Sequence, residues 1–407
     1  MKQRTYIFIH QNMPAQFFHM VQYLRDEGHR IYFITRNKPN QLANVTKVLY
    51  DVSREASEKT HHYLTAAENG ILHAQAVFRS LENLKRNGVQ PDIIVGHAGW
   101  GETLLVKDAF PDVPLLSYFE FYYRAHGQDL NFDPEHPSSI DAIISTAFKN
   151  TTCLHAFNAC DWGITPTQWQ LNTHPSYFHS KMSVIHEGID TQAIKPNPDA
   201  SFTTESGKQL RPGQKIVTFV ARSLEPYRGF HTFMRAIPEI QRRHPDAEII
   251  IVGSERNGYG RKLAEGDSYK KQLLAEVSLN ADKVHFTGHL VTEPFRAVMA
   301  ISAAHVYLTY PFVLSWSMLE SLATGCLVIG SRTAPVEEVI VDRKNGLLVD
   351  FPDPRALADT VCEVLARPQQ FEHLRRAARE TAVARYDLRT VTLPRQLALL
   401  NSMIRNC

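Results

Sequence analysis

The chain has 407 residues, of which 43% are hydrophobic and 21% are charged, and its formal net charge is +2. This length is too great for a single core and predicts two domains, while the near-neutral balance excludes binding to nucleic acid through charge alone. The five cysteines form no CxxC pair, which indicates reduced thiols. No apolar run is long enough for a membrane helix or a signal-peptide core, so a cytoplasmic protein is predicted.

The first half of the chain alternates short apolar runs with helical patterns. YIFIH at 6–10 has the pattern of a buried strand, residues 13–28 have helical spacing and end at a glycine, and HRIYFIT at 29–35 is again strand-like. This βαβ unit predicts a parallel sheet. Further strands of the same sheet are predicted at 92–96, 114–121, 161–167 and 181–190.

A polar stretch with three prolines, residues 195–214, separates two such halves. We therefore predict an N-terminal domain of residues 1–195 and a C-terminal domain of residues 196–385, with a helical segment 386–407 that returns to the first domain. Both domains are expected to be doubly wound and Rossmann-like, with their strand ends facing a cleft where ligands bind. Strands of the second half are predicted at 215–222, 247–254, 283–290, 304–310, 326–331 and 346–351.

The run KIVTFVARSLEPYRGF places two arginines near one strand end. Arg222 ends the predicted strand, and Arg228 lies in the following turn, just before Gly229 and an amphipathic helix. Both guanidiniums could converge on an anion at the carboxyl edge of the sheet, because arginine donates parallel hydrogen bonds to phosphate and keeps its charge. The alternative is that they pair with nearby Glu225 or with solvent, which is the simpler interpretation for either arginine alone.

One carboxylate, Glu320, stands among apolar and small residues in the stretch YPFVLSWSMLESLATG. A helix is predicted here that ends at Gly325, where glycine tolerates a left-handed cap. Ser317 and Glu320 have the spacing of a capping box, in which the glutamate bonds back to the helix start. Alternatively, the helix start binds an anion while Glu320 accepts hydrogen bonds from two adjacent hydroxyls of a ribose. The stretch by itself leaves both interpretations open.

Read together, these pieces make the second half resemble the retaining GT-B glycosyltransferases of family four, which transfer a sugar from a nucleotide diphosphate sugar. The family's GR-x5-KG run corresponds to AR-x5-RG at 221–229, and its V-x-F-x-G run corresponds to the strand at 284–290. Its E-x7-E region corresponds to 312–320, and its PE-[IV]-I segment to 334–349. The resemblance covers nearly the whole of the second half.

The resemblance implies a site for a UDP- or GDP-linked sugar donor, with no cofactor and no metal. Arg222 and Arg228 would hold the diphosphate, and Glu320 would bind the ribose. The donor-binding residues that it implies are Glu320, Leu314, Ser315, Trp316, Ser317, Gly253, His289, Leu290, Asn12 and Pro14. Two departures stand out: Arg228 replaces the family's lysine and keeps its charge, whereas Phe312 replaces the glutamate that contacts the hydroxyls of the transferred sugar.

The first half offers a loop directly after its first predicted strand. There Asn12 and Pro14 stand where the family often carries a glycine-rich loop. The alternative is a plain loop in which Asn12 caps the following helix.

A second loop, residues 117–135, also follows a predicted strand. Glu120, Arg124 and Asp129 lie there among aromatic residues, a combination that suits a sugar or the acceptor. The resemblance implies that His126 contacts the transferred sugar; the alternative is a loop histidine with no role.

The resemblance implies a retaining, metal-independent glycosyltransferase that moves a sugar to a hydroxyl of a saccharide, a lipid-linked glycan or a small molecule. Arg222, Arg228 and His126 are the predicted catalytic residues, since cations stabilise the charge of the departing diphosphate. The absence of HExxH and of clustered Cys/His ligands agrees with a reaction without metal. Two alternatives stay open: a non-catalytic protein of the same fold that binds nucleotide sugars or carbohydrates, and a sugar-nucleotide epimerase. Peripheral contact with the inner face of a membrane is also left open.

Overall fold

The protein divides into two units in a computed structural model that describes residues 2–256, 258–261 and 263–405. Each unit is built from separate segments of the sequence, because the chain passes between the units more than once. The first unit comprises the residues up to His126, Ser138–Gly188 and the segment from Leu388 onward, and the second comprises Gly127–Pro137 and Ile189–Asp387. The predicted domain limits of 1–195 and 196–385 stay a prediction.

Seven parallel strands form the sheet of the first unit, in the order β3-β2-β1-β4-β5-β6-β7. Phe8 in the central strand pairs with Phe33 on one side and with Val95 on the other. All three side chains are fully buried, because helices cover both faces of a parallel sheet. The strands are β1 Thr5–Ile9, β2 Arg30–Thr35, β3 Thr46–Leu49, β4 Ile93–His97, β5 Leu115–Tyr118, β6 Trp162–Thr165 and β7 Met182–Val184.

The helices of this unit connect the strands as crossovers. Helix α2 shows the pattern well: its buried residues include Ala74, Val77 and Leu81, which recur at helical spacing and form one apolar face. The helices are α1 Phe18–Asp26, α2 Thr65–Arg86, α3 Val106–Ala109, α4 Ile140–Lys149, α5 Thr151–Ala159, α6 Gln168–Thr173 and α7 Ser176–His179.

Six parallel strands form the main sheet of the second unit, in the order β12-β11-β10-β13-β14-β15, and β8 and β9 form a short antiparallel pair. Phe219 in β10 pairs with Ile251 in β11 and with Val306 in β13. The strands are β8 Phe202–Thr203, β9 Gln209–Leu210, β10 Ile216–Ser223, β11 Glu248–Ser254, β12 Val284–Gly288, β13 Ala304–Tyr307, β14 Val328–Ser331 and β15 Leu347–Val349.

The helices of the second unit pack on this sheet through large apolar side chains. Phe219 of β10 stacks on Phe233 with ring centres 5.0 Å apart, and both rings are buried. The helices are α8 Phe230–Arg243, α9 Tyr269–Glu276, α10 Thr292–Ala300, α11 Trp316–Thr324, α12 Ala334–Glu337, α13 Pro354–Ala366 and α14 Glu372–Tyr386.

The last helix, α15 Leu393–Arg405, belongs to the first unit. Its Leu400 is only 1% exposed and joins the buried cluster that contains Ile93 and Val95 of β4. Residues far apart in the sequence therefore complete one core.

Two parallel α/β sheets confirm the predicted fold class. In both main sheets the first strand in sequence lies beside the fourth in the Rossmann-like order, which creates a switch point between β1 and β4 and another between β10 and β13. That the strand ends of the two units face a common cleft stays a prediction. Within the described ranges, no helix combines the length and the apolar character needed to cross a membrane.

Candidate functional site

The switch point of the second sheet lies where the loops after β10 and β13 leave neighbouring strands. Ligands of doubly wound sheets bind at such a point, outside the carboxyl ends of the strands. The loop after β10 closes with the turn Pro226–Arg228 and then Gly229. Gly229 has a φ of +66°, and a Cβ there would come within 2.3 Å of the Leu308 Cβ after β13. Only glycine therefore lets the two loops approach this closely.

Arg228 is the central cation of this switch point. It is 7% exposed, and its guanidinium donates to the Thr309 hydroxyl at 2.8 Å and to the Val313 carbonyl at 3.0 Å. The group also lies over the rings of Tyr259 and Phe312, 5.6 and 5.9 Å from their centres. No carboxylate among the described residues forms an ion pair with it. Arg228 is therefore a buried cation held by neutral partners.

The alternative that Glu225 pairs with the arginines is wrong. Glu225 is 1% exposed, and its carboxylate accepts hydrogen bonds from the backbone N–H groups of Gly258, Tyr259 and Gly260 at 2.9 to 3.1 Å. These bonds hold the loop after β11 where the Tyr259 ring meets Arg228. Sequence reasoning missed Glu225 and Tyr259 as site residues; the glycines on both sides of Tyr259 were the available signal.

Arg222 has a different environment from Arg228. It lies in β10 near the carboxyl end, its side chain is exposed, and it makes no hydrogen bond or ion pair with any residue that the structure describes. Both arginines thus lie at or just after the carboxyl end of β10. Only the Arg228 guanidinium is held in place by hydrogen bonds to described residues.

The alternative of a capping box at Ser317 and Glu320 is wrong. Helix α11 begins at Trp316 with Ser315 as its N-cap, so Glu320 lies in the second turn of the helix. The Ser315 N–H donates to the Tyr307 hydroxyl at 2.9 Å, and the Ser315 and Ser317 hydroxyls share a hydrogen bond of 2.6 Å. Glu320 therefore does not cap the helix.

The Glu320 carboxylate is half-buried, and it forms no hydrogen bond or ion pair within the described part of the chain. Burial raises its pKa, and the charge of Arg296 offsets this only in part. A partly buried carboxylate without protein donors is suited to accept hydrogen bonds from a ligand.

The remaining predicted donor residues of the second unit lie in loops and strand ends of the same sheet, whereas Asn12 and Pro14 belong to the first unit. Leu314 precedes the N-cap of α11, and the Trp316 side chain is exposed at the first turn. Gly253, at the end of β11, and His289, just after β12, line one open pocket of about 950 Å³. Leu290 packs instead against an apolar cluster of the unit.

The switch point of the first sheet is polar but, among the residues that the structure describes, has no buried arginine or lysine. The His10 Nε2 and the Gln16 side-chain oxygen Oε1 share a hydrogen bond of 2.9 Å, and the Gln16 side-chain Nε2 donates to the Glu120 carboxylate at 3.2 Å. On the other side of Glu120 lies the buried His97, whose Nε2 is 3.6 Å from the second carboxylate oxygen. Trp100 stacks on His97 with ring centres 4.3 Å apart.

Asn12 does not cap a helix, so that alternative is wrong. Its N–H donates to the His10 Nδ1 at 2.9 Å, and the short turn that follows begins after Pro14, whereas α1 starts at Phe18. Asn12 and Pro14 thus shape the loop that carries His10.

The predicted sugar loop is shared between the two units. Glu120 and Arg124 belong to the first unit, where the Arg124 guanidinium donates to the backbone carbonyls of Thr173 and His174 at the end of α6. His126 is exposed at the limit of that unit. Asp129 belongs to the second unit and is 7% exposed.

One group of side chains in the described residues has the composition of a metal site. Asp133, His136 and His231 have ligand atoms that all lie within 4.8 Å of one another. Both imidazoles also lie within hydrogen-bonding distance of the same carboxylate oxygen, at 2.9 and 3.1 Å. The predicted absence of a metal stays a prediction.

The fold places the chain in a defined class. The sucrose-phosphate synthase of Thermosynechococcus elongatus has a TM-score of 0.74 at 17% identity, and the alignment covers 100% of both chains. The Anabaena protein HepE, solved with UDP and glucose, has a TM-score of 0.67 at 16% identity over 98% of this chain and 100% of that one. Both sheets thus match the architecture of GT-B glycosyltransferases.

The sequence profiles name the family. A profile of the glycosyl transferase family 4 group matches residues 27–194, and a profile of glycosyl transferases group 1 matches residues 201–381. The chain belongs to glycosyltransferase family four. A relative from Mycolicibacterium smegmatis, a GDP-mannose-dependent alpha-(1-6)-phosphatidylinositol monomannoside mannosyltransferase, is 28% identical over 211 residues, which are 50% of this chain and 52% of the relative. The chain spans about half the length of the curated relatives it matches.

Proposed function

We propose that the protein is a retaining glycosyltransferase that moves a sugar from a nucleotide diphosphate sugar to a hydroxyl group. The observation that carries this proposal is Arg228, a 7% exposed guanidinium whose fixed partners are a hydroxyl, a carbonyl and two aromatic rings. A buried charge without an opposite charge is costly, and an anionic ligand removes that cost. A diphosphate at this switch point is such a ligand.

The donor is expected to lie along the carboxyl edge of the second sheet. Arg228 and the exposed Arg222 bind the diphosphate, and the start of α11, with the amides of Leu314, Trp316 and Ser317, adds backbone donors beside Ser315, whose own N–H is held by Tyr307. Glu320 accepts hydrogen bonds from the two ribose hydroxyls. The pocket lined by Gly253 and His289 takes the base, with Leu290 packed beside it. A UDP- or GDP-linked donor agrees with HepE, solved with UDP, and with the GDP-mannose-dependent relative.

The chemical step requires stabilisation of the leaving group. The bond between the anomeric carbon and the diphosphate oxygen breaks, and the acceptor oxygen bonds to that carbon from the same face. The acceptor proton passes to the departing diphosphate oxygen. Arg228, Arg222 and the helix start stabilise the charge that develops there, so no metal is needed.

The acceptor is expected at the first unit, where Glu120 and His126 offer polar contacts near the edge of the sheet. Asn12 and Pro14 shape the adjoining loop, and Arg124 fixes the end of α6. This arrangement suits the hydroxyls of a saccharide, a lipid-linked glycan or a small molecule.

A second candidate function, a nucleotide-sugar-binding protein without transfer, is favoured by one observation. Phe312, a 7% exposed aromatic residue, occupies the place where family members have the glutamate that contacts the transferred sugar. Binding of donor without turnover to any acceptor distinguishes this candidate from the transferase.

The test is calorimetric titration of the full chain with UDP, GDP, UDP-glucose and GDP-mannose, followed by assays for released nucleotide with a panel of acceptors. Arg228→Ala is expected to weaken nucleotide binding by about 100-fold, because truncating one side of a buried charge contact costs about 2–5 kcal/mol. The exposed Arg211→Ala is the matched control and should bind like the unmodified chain. The proposal fails if no nucleotide binds, or if Arg228→Ala binds normally. Release of nucleotide with an inverted product contradicts retention.

A further inference from the structure

The segment Gly127–Pro137 leaves the first unit after β5, yet it packs in the second unit at the donor edge. Its polar residues Gln128, Asp129 and Asp133 are all buried, although carboxylates are rarely buried without partners. Asp129 bonds to Tyr227 in the loop after β10, and Asp133 bonds to Tyr310 in the loop after β13 and to His231 near the start of α8. The segment is therefore built into this edge.

Asp133 anchors the segment. Its carboxylate accepts hydrogen bonds from the Tyr310 hydroxyl at 2.7 Å, from the His231 Nε2 at 3.1 Å and from the His136 Nδ1 at 2.9 Å. Burial alone would raise the pKa of Asp133, but these donors hold it well below its usual range. Phe132 adds apolar contact, with its ring 5.3 Å from that of Tyr310. The anchor fixes the position of the residues just before it.

Asp129 is one of those residues, and it binds Tyr227. The Tyr227 hydroxyl donates to the Asp129 carboxylate, and the Tyr227 ring packs edge-on against Phe312 with ring centres 5.5 Å apart. Tyr227 directly precedes Arg228 in the turn that carries the site cation. The Tyr227 side chain thus connects the Asp129 carboxylate with position 312, at which the family has its first glutamate.

The direction of this hydrogen bond determines what the pair can bind. A phenol is both donor and acceptor, and Asp129 engages the Tyr227 proton. With its proton engaged in this way, the Tyr227 oxygen can act toward a ligand hydroxyl only as an acceptor. A carboxylate at position 312 would also act as an acceptor, so the pair reproduces the chemistry that Phe312 lacks.

We propose that Tyr227, positioned by Asp129, accepts a hydrogen bond from a hydroxyl of the transferred sugar and so determines which donor sugar is bound. This inference rests on the proposed function, since it presumes a nucleotide sugar at Arg228. Tyr227 is the contact residue, Asp129 is a positioning residue, and the segment Gly127–Pro137 is the element that supplies it.

The experiment compares two affinities in the same variants: that for UDP or GDP, whichever the chain prefers, and that for the matching nucleotide sugar. Tyr227→Phe removes a single oxygen and Asp129→Ala removes its hydrogen-bond acceptor. Both variants are expected to lower the affinity for the nucleotide sugar about ten-fold, because the sugar loses a hydrogen-bond partner. The affinity for the bare nucleotide should change less than about two-fold. Phe312→Glu added to Tyr227→Phe is expected to restore sugar binding, which a purely structural role of Tyr227 does not explain.

Glu135→Gln is the matched control, since Glu135 lies in the same segment but its side chain is 53% exposed in an ion pair with Arg235. It should leave both affinities unchanged. Equal loss of both affinities in Tyr227→Phe, or no loss in either, overturns the inference while leaving the proposed function standing. A chain that binds no nucleotide at all overturns both. Melting temperatures of all variants show whether Asp129→Ala has unfolded, in which case Tyr227→Phe and its rescue decide.

Discussion

The two sheets share a strand order at their switch points but carry opposite chemistry there. The second sheet places the buried cation Arg228 beside the start of α11. The first sheet places His10 and His97 around Glu120, and burial, with a smaller contribution from the neighbouring His97, lowers the pKa of His10 well below its ordinary value. Its imidazole is therefore neutral at physiological pH. The same scaffold thus offers one edge suited to phosphate and another suited to neutral hydroxyl groups, and the loops alone make the difference.

Among the variants that test this comparison, the largest effect is expected from Glu320→Gln, which tests the proposed ribose contact at the cationic edge. We expect the variant to bind nucleotide about 30-fold more weakly, or about 2 kcal/mol, because hydrogen bonds to a charged acceptor contribute about 1.5–3 kcal/mol. Burial raises the pKa of Glu320, so its ionised form is complete only above that raised value. Nucleotide affinity should therefore fall as the pH drops through a midpoint above that of an ordinary glutamate.

Titration calorimetry at several pH values measures this dependence. Glu320→Gln should lose this pH dependence of nucleotide affinity, whereas the exposed control Asp359→Asn should keep it. A Glu320→Gln chain with unchanged affinity at every pH would show that the carboxylate does not contact the ligand.

A smaller effect is expected at the first sheet. Glu120→Gln should lower kcat/KM for the acceptor about ten-fold, since a charge-assisted hydrogen bond of about 1.4 kcal/mol becomes a neutral one. The affinity for the nucleotide should stay within about two-fold of the original, because Glu120 belongs to the other switch point. Steady-state kinetics with both substrates varied provide the measurement. If donor binding falls instead, the division of chemistry between the two edges is wrong.

The smallest effect is expected from Glu225→Gln, which loosens the loop over Arg228. An amide oxygen accepts from the backbone N–H groups of Gly258, Tyr259 and Gly260 less strongly than a carboxylate does, so we expect about 1 kcal/mol less stability and about five-fold weaker nucleotide binding. Chemical denaturation and calorimetry measure the two quantities. Equal binding by variant and parent would mean that this loop has no part in holding the nucleotide.

The fold was predictable because each buried strand leaves a local signal. Strands such as β10 and β11 read as continuous apolar runs, and helices between them have their own period, so neighbours in sequence sufficed. The resemblance to the family then predicted that the turn at Arg228 and the helix of Glu320 belong to the donor site.

The details of the site were not predictable, because they depend on contacts between distant residues. The Tyr307 hydroxyl accepts a hydrogen bond from the Ser315 N–H, and α11 starts before the position that a capping box would require. Glu225 binds backbone groups 33 to 35 residues away, which no side-chain pattern reveals. The packing of Gly127–Pro137 in the second unit likewise depends on Tyr227 and Tyr310, about a hundred residues or more further along.

The position of α15 has a consequence for biosynthesis. Leu400 in α15 completes a cluster with Ile93 and Val95 of β4, which is made much earlier. On the ribosome, the sheet of the first unit must wait with an apolar face uncovered until α15 has been made. A nascent chain that stops before α15 therefore exposes this face to chaperones and to aggregation, however complete the second unit already is.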